Sequence, residues 1–514
     1  MDRILMILEV SRKQDYIFAS KKLRDNAARS GEIAYVTDSA FFREAAGELY
    51  SPEKNLVYAG GGHTVLQFDD RETATRFARA VTSEAMKRFD GMEIFVKQMP
   101  YDAGRTPGEN LVALTAALEE KKALRKSSFR RLSVGVEALD PVTYQPKLAG
   151  KKDETQRPEL LPAPEGWEFP TQFQDLAGGD NFIAVVHVDG NAMGKRVQDL
   201  YGERTASWDD CRASLQRFSS GIQADFERAF TETVDTLISG LELTPPTLPI
   251  RPVILAGDDV CFVTAGKIGL ESARVFLEHL TALKNAEDGR SYAACAGVAL
   301  VHQKFPFHQA YDLAEELCSS AKKFGAELDQ KGRVSAMDWH IEFGQLKDGL
   351  PQIREDYQTE QVFLSESGDG TKTGRRGRLE LRPVVVTAPE EIPMKKTGGV
   401  RTYRFFRGMC QAMKGEYGNT ARGKIKDLRT AFKQGEEETR FFLRDQEVMK
   451  LLDHAFTARY QTWGEQAEQY RKFLDGQQEL AKGPFEEIDG TTRCLFFDAV
   501  EMVDHCDFLK EVEA

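Results

Sequence analysis

The stretch "PVILAGDDVCFV", Pro252 to Val263, places two adjacent carboxylates, Asp258 and Asp259, between two runs of strand-forming residues. Like charges about 4 Å apart repel by about 4 kcal/mol at an effective dielectric of about 20, so paired aspartates at a hairpin tip need a reason. A divalent cation shared with a third carboxylate supplies one, because it turns the repulsion into binding. Asp189 is the natural third ligand. It ends the apolar run "FIAVVHV" and so belongs at the carboxyl end of a buried strand, where open sheets place their ligand sites. Hard carboxylate oxygens select Mg2+ or Mn2+ over zinc. Such ions make a hydroxyl nucleophilic and hold a triphosphate for in-line attack.

The residues after Asp189 read "DGNAMGKR". Gly190 and Gly194 let backbone N–H groups approach phosphates ahead of the next helix, and the Gly190 backbone is also a candidate metal contact. Asn191, Ala192 and Met193 complete this candidate phosphate loop, with Gly257 in the turn opposite. Lys322, in "SSAKKFG" with Lys323 beside it, can reach a β- or γ-phosphate if its helix packs against the hairpin. Each part has a plainer reading. Gly-Asp is ordinary turn chemistry, Asp189 before Gly-Asn is a turn former, and a helix lysine is usually solvated. The order strand-Asp, helix, strand-Gly-Asp-Asp-strand, helix, strand, helix-Lys is what lifts the set above its parts.

That order belongs to a block of alternating elements over residues 179–345. "NFIAVVHVDG" is a strand, Ala206 to Gly240 a helix, "IRPVILAGDDVCFVTA" a hairpin, Leu270 to Asn285 a helix, "SYAACAGVALVH" a strand, and His308 to Phe324 a helix. Residues 1–140 alternate in the same way, from "RILMILEV" through "NLVYAGGGHTVLQF" and a helix from Arg71 to Arg88 to "MEIFVKQM". Aligning the two blocks on Ala59-Gly60 and Ala256-Gly257 sets Gly61 and Gly62 opposite Asp258 and Asp259. Each block opens with a strand ending in an acid, Glu9 or Asp189. Each ends in a helix with a lysine pair, Lys121-Lys122 or Lys322-Lys323. An internal duplication with the acidic pair in one copy follows. Residues 141–178 read as a linker and 346–390, with "SESGDGTKTGRRG", as a loop or linker. Residues 391–514 read as an α-helical domain.

The totals bound the class. At 514 residues the chain needs about two to four domains, and 41% hydrophobic with 29% charged residues describes a soluble globular protein. Apolar runs are of strand length, and "MDRILMILEV" has no signal-peptide features, so no membrane association is expected. Seven scattered cysteines with no C-x-x-C pair argue against a disulfide framework or zinc ribbon and suit a reducing cytoplasm. A net charge of −12 argues against coating nucleic acid over the whole surface. Two local basic runs, Lys121 to Arg131 and Arg375 to Arg382, read most simply as solvated faces.

On these residues the second block resembles the palm domain shared by GGDEF cyclases, class III nucleotidyl cyclases and the CRISPR polymerase family. It is most similar to the large subunit of type III CRISPR effectors, the Cas-ten family, whose signature is GGDD. "EVSRKQDYIFASKKLRDN" from Glu9, "GGG" at Gly60 to Gly62, and "AGVALVHQKFPFHQAYDLAEELCSSAKKFG" from Ala296 carry the resemblance, which covers most of residues 1–345. It implies an α+β fold with two ferredoxin-like palms in tandem and a C-terminal α-helical domain. It also implies synthesis of a cyclic oligonucleotide, typically cyclic oligoadenylate, from ATP with Mg2+ or Mn2+. Asp189 and Asp258 would carry the metals, with Asp259 beside them. The first palm would hold a second ATP, with Glu9, Ser11 and the Gly60–Gly62 loop as its contacts. CRISPR effector subunits, guide and target RNA, and a downstream sensor of the cyclic nucleotide are the implied partners.

Departures from the family pattern sharpen the expectation. Ala256 replaces the first glycine of GGDD, no His-Asp dipeptide marks an HD nuclease, and no cysteine ribbon follows the first palm. DNase activity is therefore not expected, and a compact free-standing synthase is an open possibility. The competing readings are a non-catalytic nucleotide-binding scaffold subunit and a cyclic dinucleotide synthase.

Overall fold

The computed structural model describes residues 3–124, 159–203, 207–344, 349–366, 372–389, 392, 399–417, 422–446 and 483–510. Most of the Lys121–Arg131 basic run, and the expected linker up to residue 158, lie outside these residues. No described helix is long and apolar enough to cross a membrane.

The first sheet is built on β1 (Ile4–Ser11), whose near-continuous apolar run is explained by cover on both sides. Ile4, Met6, Leu8 and Val10 face one core, and Leu5 and Ile7 face another. With β2 (Leu56–Gly60), β3 (His63–Phe68) and β4 (Glu93–Pro100) it forms an antiparallel sheet of order β2-β3-β1-β4. Helices Leu23–Val36 and Arg71–Arg88 contribute Ile33, Val36, Phe77 and Val81 to the first core. Helix Arg71–Arg88 starts where expected because Asp70 accepts from the Thr73 N–H at 2.8 Å. After helix Leu23–Val36 the chain breaks at Asp38, which caps a second helix, Ser39–Ala46.

The second sheet repeats this plan. Strands β5 (Phe182–Gly190), β6 (Ile250–Ala256), β7 (Asp259–Ala265) and β8 (Ala294–His302) run antiparallel in the order β8-β5-β7-β6. Both sheets thus have the ferredoxin-like order expected of tandem palms. The second is extended beyond β8 by β9 (Ser335–Ile341), parallel to β8, and β12 (Val384–Thr387), antiparallel to β9.

Helix Trp208–Gly240, capped by Ser207, ties the palms together. Its first turns place Trp208, Cys211 and Leu215 under the first sheet, while Phe226, Phe230, Val234 and Leu237 enter the core of the second. Arg212 and Gln216 both donate to the Leu56 carbonyl on edge strand β2. Helix Phe307–Leu328 lies very close on β8. A Cβ at Gly297 would come 1.9 Å from the Ala314 carbonyl oxygen, so only glycine permits this approach.

The C-terminal part departs from the helical expectation. Helices Tyr403–Tyr417, Arg422–Gln434 and Glu436–Asp445 are present, but so is a third sheet. It has the order β10-β11-β14-β13, from β10 (Gln358–Glu366), β11 (Lys372–Arg378), β13 (Phe485–Ile488) and β14 (Thr491–Cys494). The segment 346–390, expected as loop, therefore supplies three strands. The second basic run falls partly on β11, where Arg375 and Arg376 are exposed, but Arg382 is fully buried. Its guanidinium lies 2.6 Å from Glu501, on helix Phe497–Met502, and 5.3 Å from the Trp339 ring centroid on β9, tying that helix to the second palm's sheet.

Candidate active site

The register of the second sheet sets the site. Asp189, near the end of β5, is the cross-strand partner of Asp259, the first residue of β7. Ala256 pairs with Asp259 across a two-residue turn, Gly257-Asp258. Gly257 has φ +70°, which needs glycine, whereas Ala256 has no positive φ, so the substituted first glycine costs the turn nothing. The Gly190 N–H donates to the Asp258 carbonyl at 3.2 Å, and a Cβ on Gly190 would lie 2.9 Å from the Asp258 Cβ. The three aspartates are thus gathered on one corner of the sheet by backbone pairing alone.

Their charge is poorly solvated. Burial, then the Asp189 carboxylate, push Asp258 up to about 6 and Asp259 up to about 7. Asp259 keeps 48% of its side-chain exposure where it lines the cavity, but its Oδ1 is buried without a hydrogen-bond partner. His187 Nδ1 is 3.7 Å from that oxygen, and burial keeps this imidazole below its ordinary value. Lys322 reaches the corner as expected, because Gly297 seats its helix. In this state it meets a carboxylate: Nζ is 2.5 Å from Asp189 Oδ2 and donates to the Gly190 carbonyl at 3.0 Å. Lys323 is exposed.

The first palm holds the matching pair. Glu9, opposite His63 on β3, accepts from Lys122 Nζ at 2.7 Å, so the strand-end acid and helix lysine recur in both palms. Between the palms lies a cavity of about 1260 Å³. Glu9, Ser11, Gly60, Gly61, Gly62 and Asp259 line it, so the structure brings these predicted residues to one space. Asp189, Gly190, Asp258 and Lys322 gather at the adjoining corner instead. The loop residues divide further. Asn191 is spent on the scaffold, donating from Nδ2 to the Val334 carbonyl at 2.7 Å, and Met193 is buried in the core. Ala192 takes a left-handed conformation, φ 58°, at the start of helix Met193–Glu203, and Gly194 is exposed.

Two residues were not foreseen from the sequence. Gln223 accepts from the Gly257 N–H at 2.6 Å and donates to the Leu255 carbonyl at 3.2 Å, fixing the turn from helix Trp208–Gly240. Lys13 donates to the Gly61 carbonyl. Gln223 lies in no recognisable motif, Lys13 lies in the "EVSRKQDYIFASKKLRDN" stretch without its contact being announced there, and both act across the fold.

Among the described residues no three His, Cys, Asp or Glu side chains form a ready metal cage. The donors nevertheless fit a hard divalent cation: three carboxylates on one corner, two of them raised by burial and then by the Asp189 charge, and an unpartnered buried oxygen. Asp189, Asp258 and Asp259 would hold it.

A ferredoxin-like sheet with an acid at the end of its first strand and a Gly-Asp-Asp turn beside it defines a palm of the nucleotidyl cyclase type. Residues 182–332 match the family described as Cas10/Cmr2, second palm domain. Residues 182–332 therefore form a Cas10/Cmr2-type second palm. Among solved structures the chain is similar to an apo Csm1–Csm4 cassette, at 15% identity and a TM-score of 0.46 over 68% of this chain and 55% of that one. The same cassette in complex with cA3 gives 15% and 0.45, over 65% and 54%. Csm1 in T. onnurineus gives 17% and 0.44, over 63% and 52%. The chain spans about half the length of the Csm1 chains it matches. No curated protein matches it by sequence.

Proposed function

We propose that this protein is a nucleotidyltransferase that converts ATP to a cyclic oligonucleotide, cyclic oligoadenylate on the family resemblance, as a second messenger in anti-phage signalling. The observation that carries the reading is the Gly257-Asp258 turn, which sets two carboxylates beside Asp189, one of them, Asp259, lining a cavity shared with the first palm. In each transfer a ribose hydroxyl oxygen bonds to the α-phosphorus of the next nucleotide, the α–β phosphoanhydride bond breaks, and pyrophosphate leaves with the hydroxyl proton passing to solvent. A divalent cation held by Asp189, Asp258 and Asp259 would supply charge neutralisation and a more acidic hydroxyl. The cavity holds the second nucleotide against the first palm, where Glu9, Ser11 and the Gly60–Gly62 loop face it. Gln223 keeps the aspartate turn in place.

Assembly with a Csm4-like subunit and guide RNA, and a downstream sensor of the product, belong to the same proposal. A nucleotide-binding scaffold subunit is the second reading, favoured by one observation: the Lys322–Asp189 ion pair, which leaves Asp189 closed to a cation in this state. Incubation with the four nucleoside triphosphates and Mg2+ or Mn2+, followed by mass spectrometry, tests both. A cyclic product from the native protein that is absent with Asp258→Ala/Asp259→Ala supports the synthase. Metal-dependent ATP binding without turnover, with and without guide and target RNA, supports the scaffold.

A further inference from the structure

Two lysines, one from each palm, bear on the aspartates: Lys322 contacts Asp189, and Lys13 lines the cavity that Asp259 lines. Lys322 comes from the second palm and divides its ammonium between the Asp189 carboxylate and the Gly190 carbonyl. Lys13 comes from the first. Arg12, held in the left-handed region at φ 52°, turns the chain sharply before it. The Lys13 stem then runs past Gly62, where an added Cβ would meet Cε at 3.0 Å, and the ammonium donates to the Gly61 carbonyl. Lys13 and Asp259 line the same cavity. Burial opposes the Lys13 charge, and Glu9 and Asp259 sustain it against the repulsion of Lys122. Lys122 is differently placed, since Glu9 and Glu119 hold it at 2.7 Å each.

An ammonium on a carboxylate and a divalent cation on the same carboxylate exclude one another by like-charge repulsion. A triphosphate changes the balance, because its oxygens accept from lysine at least as well as the carbonyls that Lys13 and Lys322 now use. We propose that Lys13 and Lys322 are built-in counter-cations that hold the nucleotide-free aspartates against divalent metal and pass to the phosphates of an incoming nucleotide, so that metal and nucleotide bind as a coupled pair. The inference rests on the nucleotide-site reading above and adds to it the residues that make binding ordered. Linkage makes the effect reciprocal: whatever factor by which nucleotide tightens metal, metal tightens nucleotide.

Calorimetry on the full chain tests this with two probes, Mn2+ alone and Mn2+ in the presence of a saturating ATP analogue with a non-hydrolysable α–β bridge. In the native protein the analogue tightens Mn2+ by about tenfold or more. Lys322→Met tightens Mn2+ alone several-fold, weakens the analogue by about tenfold, and brings the coupling factor towards one. Lys13→Met moves all three in the same directions, and it remains informative if Lys322→Met does not fold. Lys13→Arg keeps the coupling. The proposal is overturned if the methionine variants leave Mn2+ affinity unchanged, or weaken metal and nucleotide together as loss of a merely structural contact does. Native-like behaviour of both variants beside a native protein that binds the analogue removes the lysine proposal alone. A native protein that binds neither probe removes the nucleotide-site reading with it.

Discussion

Gly61 of the first palm faces Gly257 of the second: a Cβ on Gly257 would lie 3.9 Å from the Gly61 backbone nitrogen. Both residues have positive φ, +58° and +70°, so each tight turn is built with a residue that carries no side chain. Two turns that occupy equivalent places in the two palms therefore meet tip to tip. One carries aspartates and the other does not. That meeting brings residues of both sheets to one cavity.

The turn depends on Gln223, whose Oε1 accepts from the Gly257 N–H. Gln223→Leu leaves that N–H without an acceptor and should cost about 1 kcal/mol of stability. It should also weaken Mn2+-dependent ATP binding by about tenfold, measured by calorimetry. Gln223→Glu keeps the acceptor but sets a carboxylate against Glu227 and the Leu255 carbonyl, so it should recover little, and native-like stability and binding in Gln223→Leu contradicts the role.

The aspartate pair predicts a pH dependence in metal-free protein. Folded values of about 6 for Asp258 and about 7 for Asp259 lie above the unfolded value of about 3.9. The folded state then binds more protons than the unfolded state across that interval, so the pair's contribution falls as pH rises from about 4 to about 7. Asp258→Asn/Asp259→Asn should remove this slope and raise stability at pH 7.5. Solvent in the cavity screens the repulsion, which leaves a gain of about 1 kcal/mol. Thermal melts with chelator at several pH values check it, and a lower melting point at pH 7.5 contradicts it.

His63 gives the opposite sign in the first palm. Burial, then Lys13, hold it at about 4, below its unfolded value of about 6.5. Its contribution is present above pH 6.5 and lost as pH falls towards 4, because the unfolded state takes up the proton first. His63→Gln should flatten the acid limb of the melting profile, and an unchanged limb contradicts the assignment.

Seating of helix Phe307–Leu328 is the tightest steric demand near the site. Gly297→Ala drives a methyl into the Ala314 carbonyl and the Cys318 backbone nitrogen, 1.9 and 2.3 Å away. Displacing the helix carries Lys322 off Asp189. Loss of several kcal/mol, seen as insoluble or molten protein on expression, is expected. Native-like melting of this variant contradicts the packing described.

What the sequence made legible follows from where its signals were local. The second palm could be read because its strands are apolar runs bounded by turns and its helices keep one period. The acid ending each first strand marked the site, and β5–β7 pairing does place Asp189 opposite Asp259. The third sheet was missed for physical reasons. Strands β13 and β14 are four residues each, and β11 reads "KTGRRGR", which carries no strand pattern. Its pairing partner, β14, lies more than a hundred residues further along the chain. Gln223 and Lys13 act on turns 34 and 48 positions away, and no local spacing announces such contacts. The side-chain contacts of Asn191 and Met193, to the Val334 carbonyl and to the core, were likewise not announced by the loop motif they lie in.

The most direct test of the account is the anomalous signal of manganese in crystals grown with Mn2+ and the non-hydrolysable ATP analogue. The account predicts manganese bounded by Asp189, Asp258 and Asp259 and in contact with the triphosphate, with a nucleotide in the cavity between the palms. Manganese away from these aspartates, or a nucleotide bound elsewhere on the protein, contradicts it.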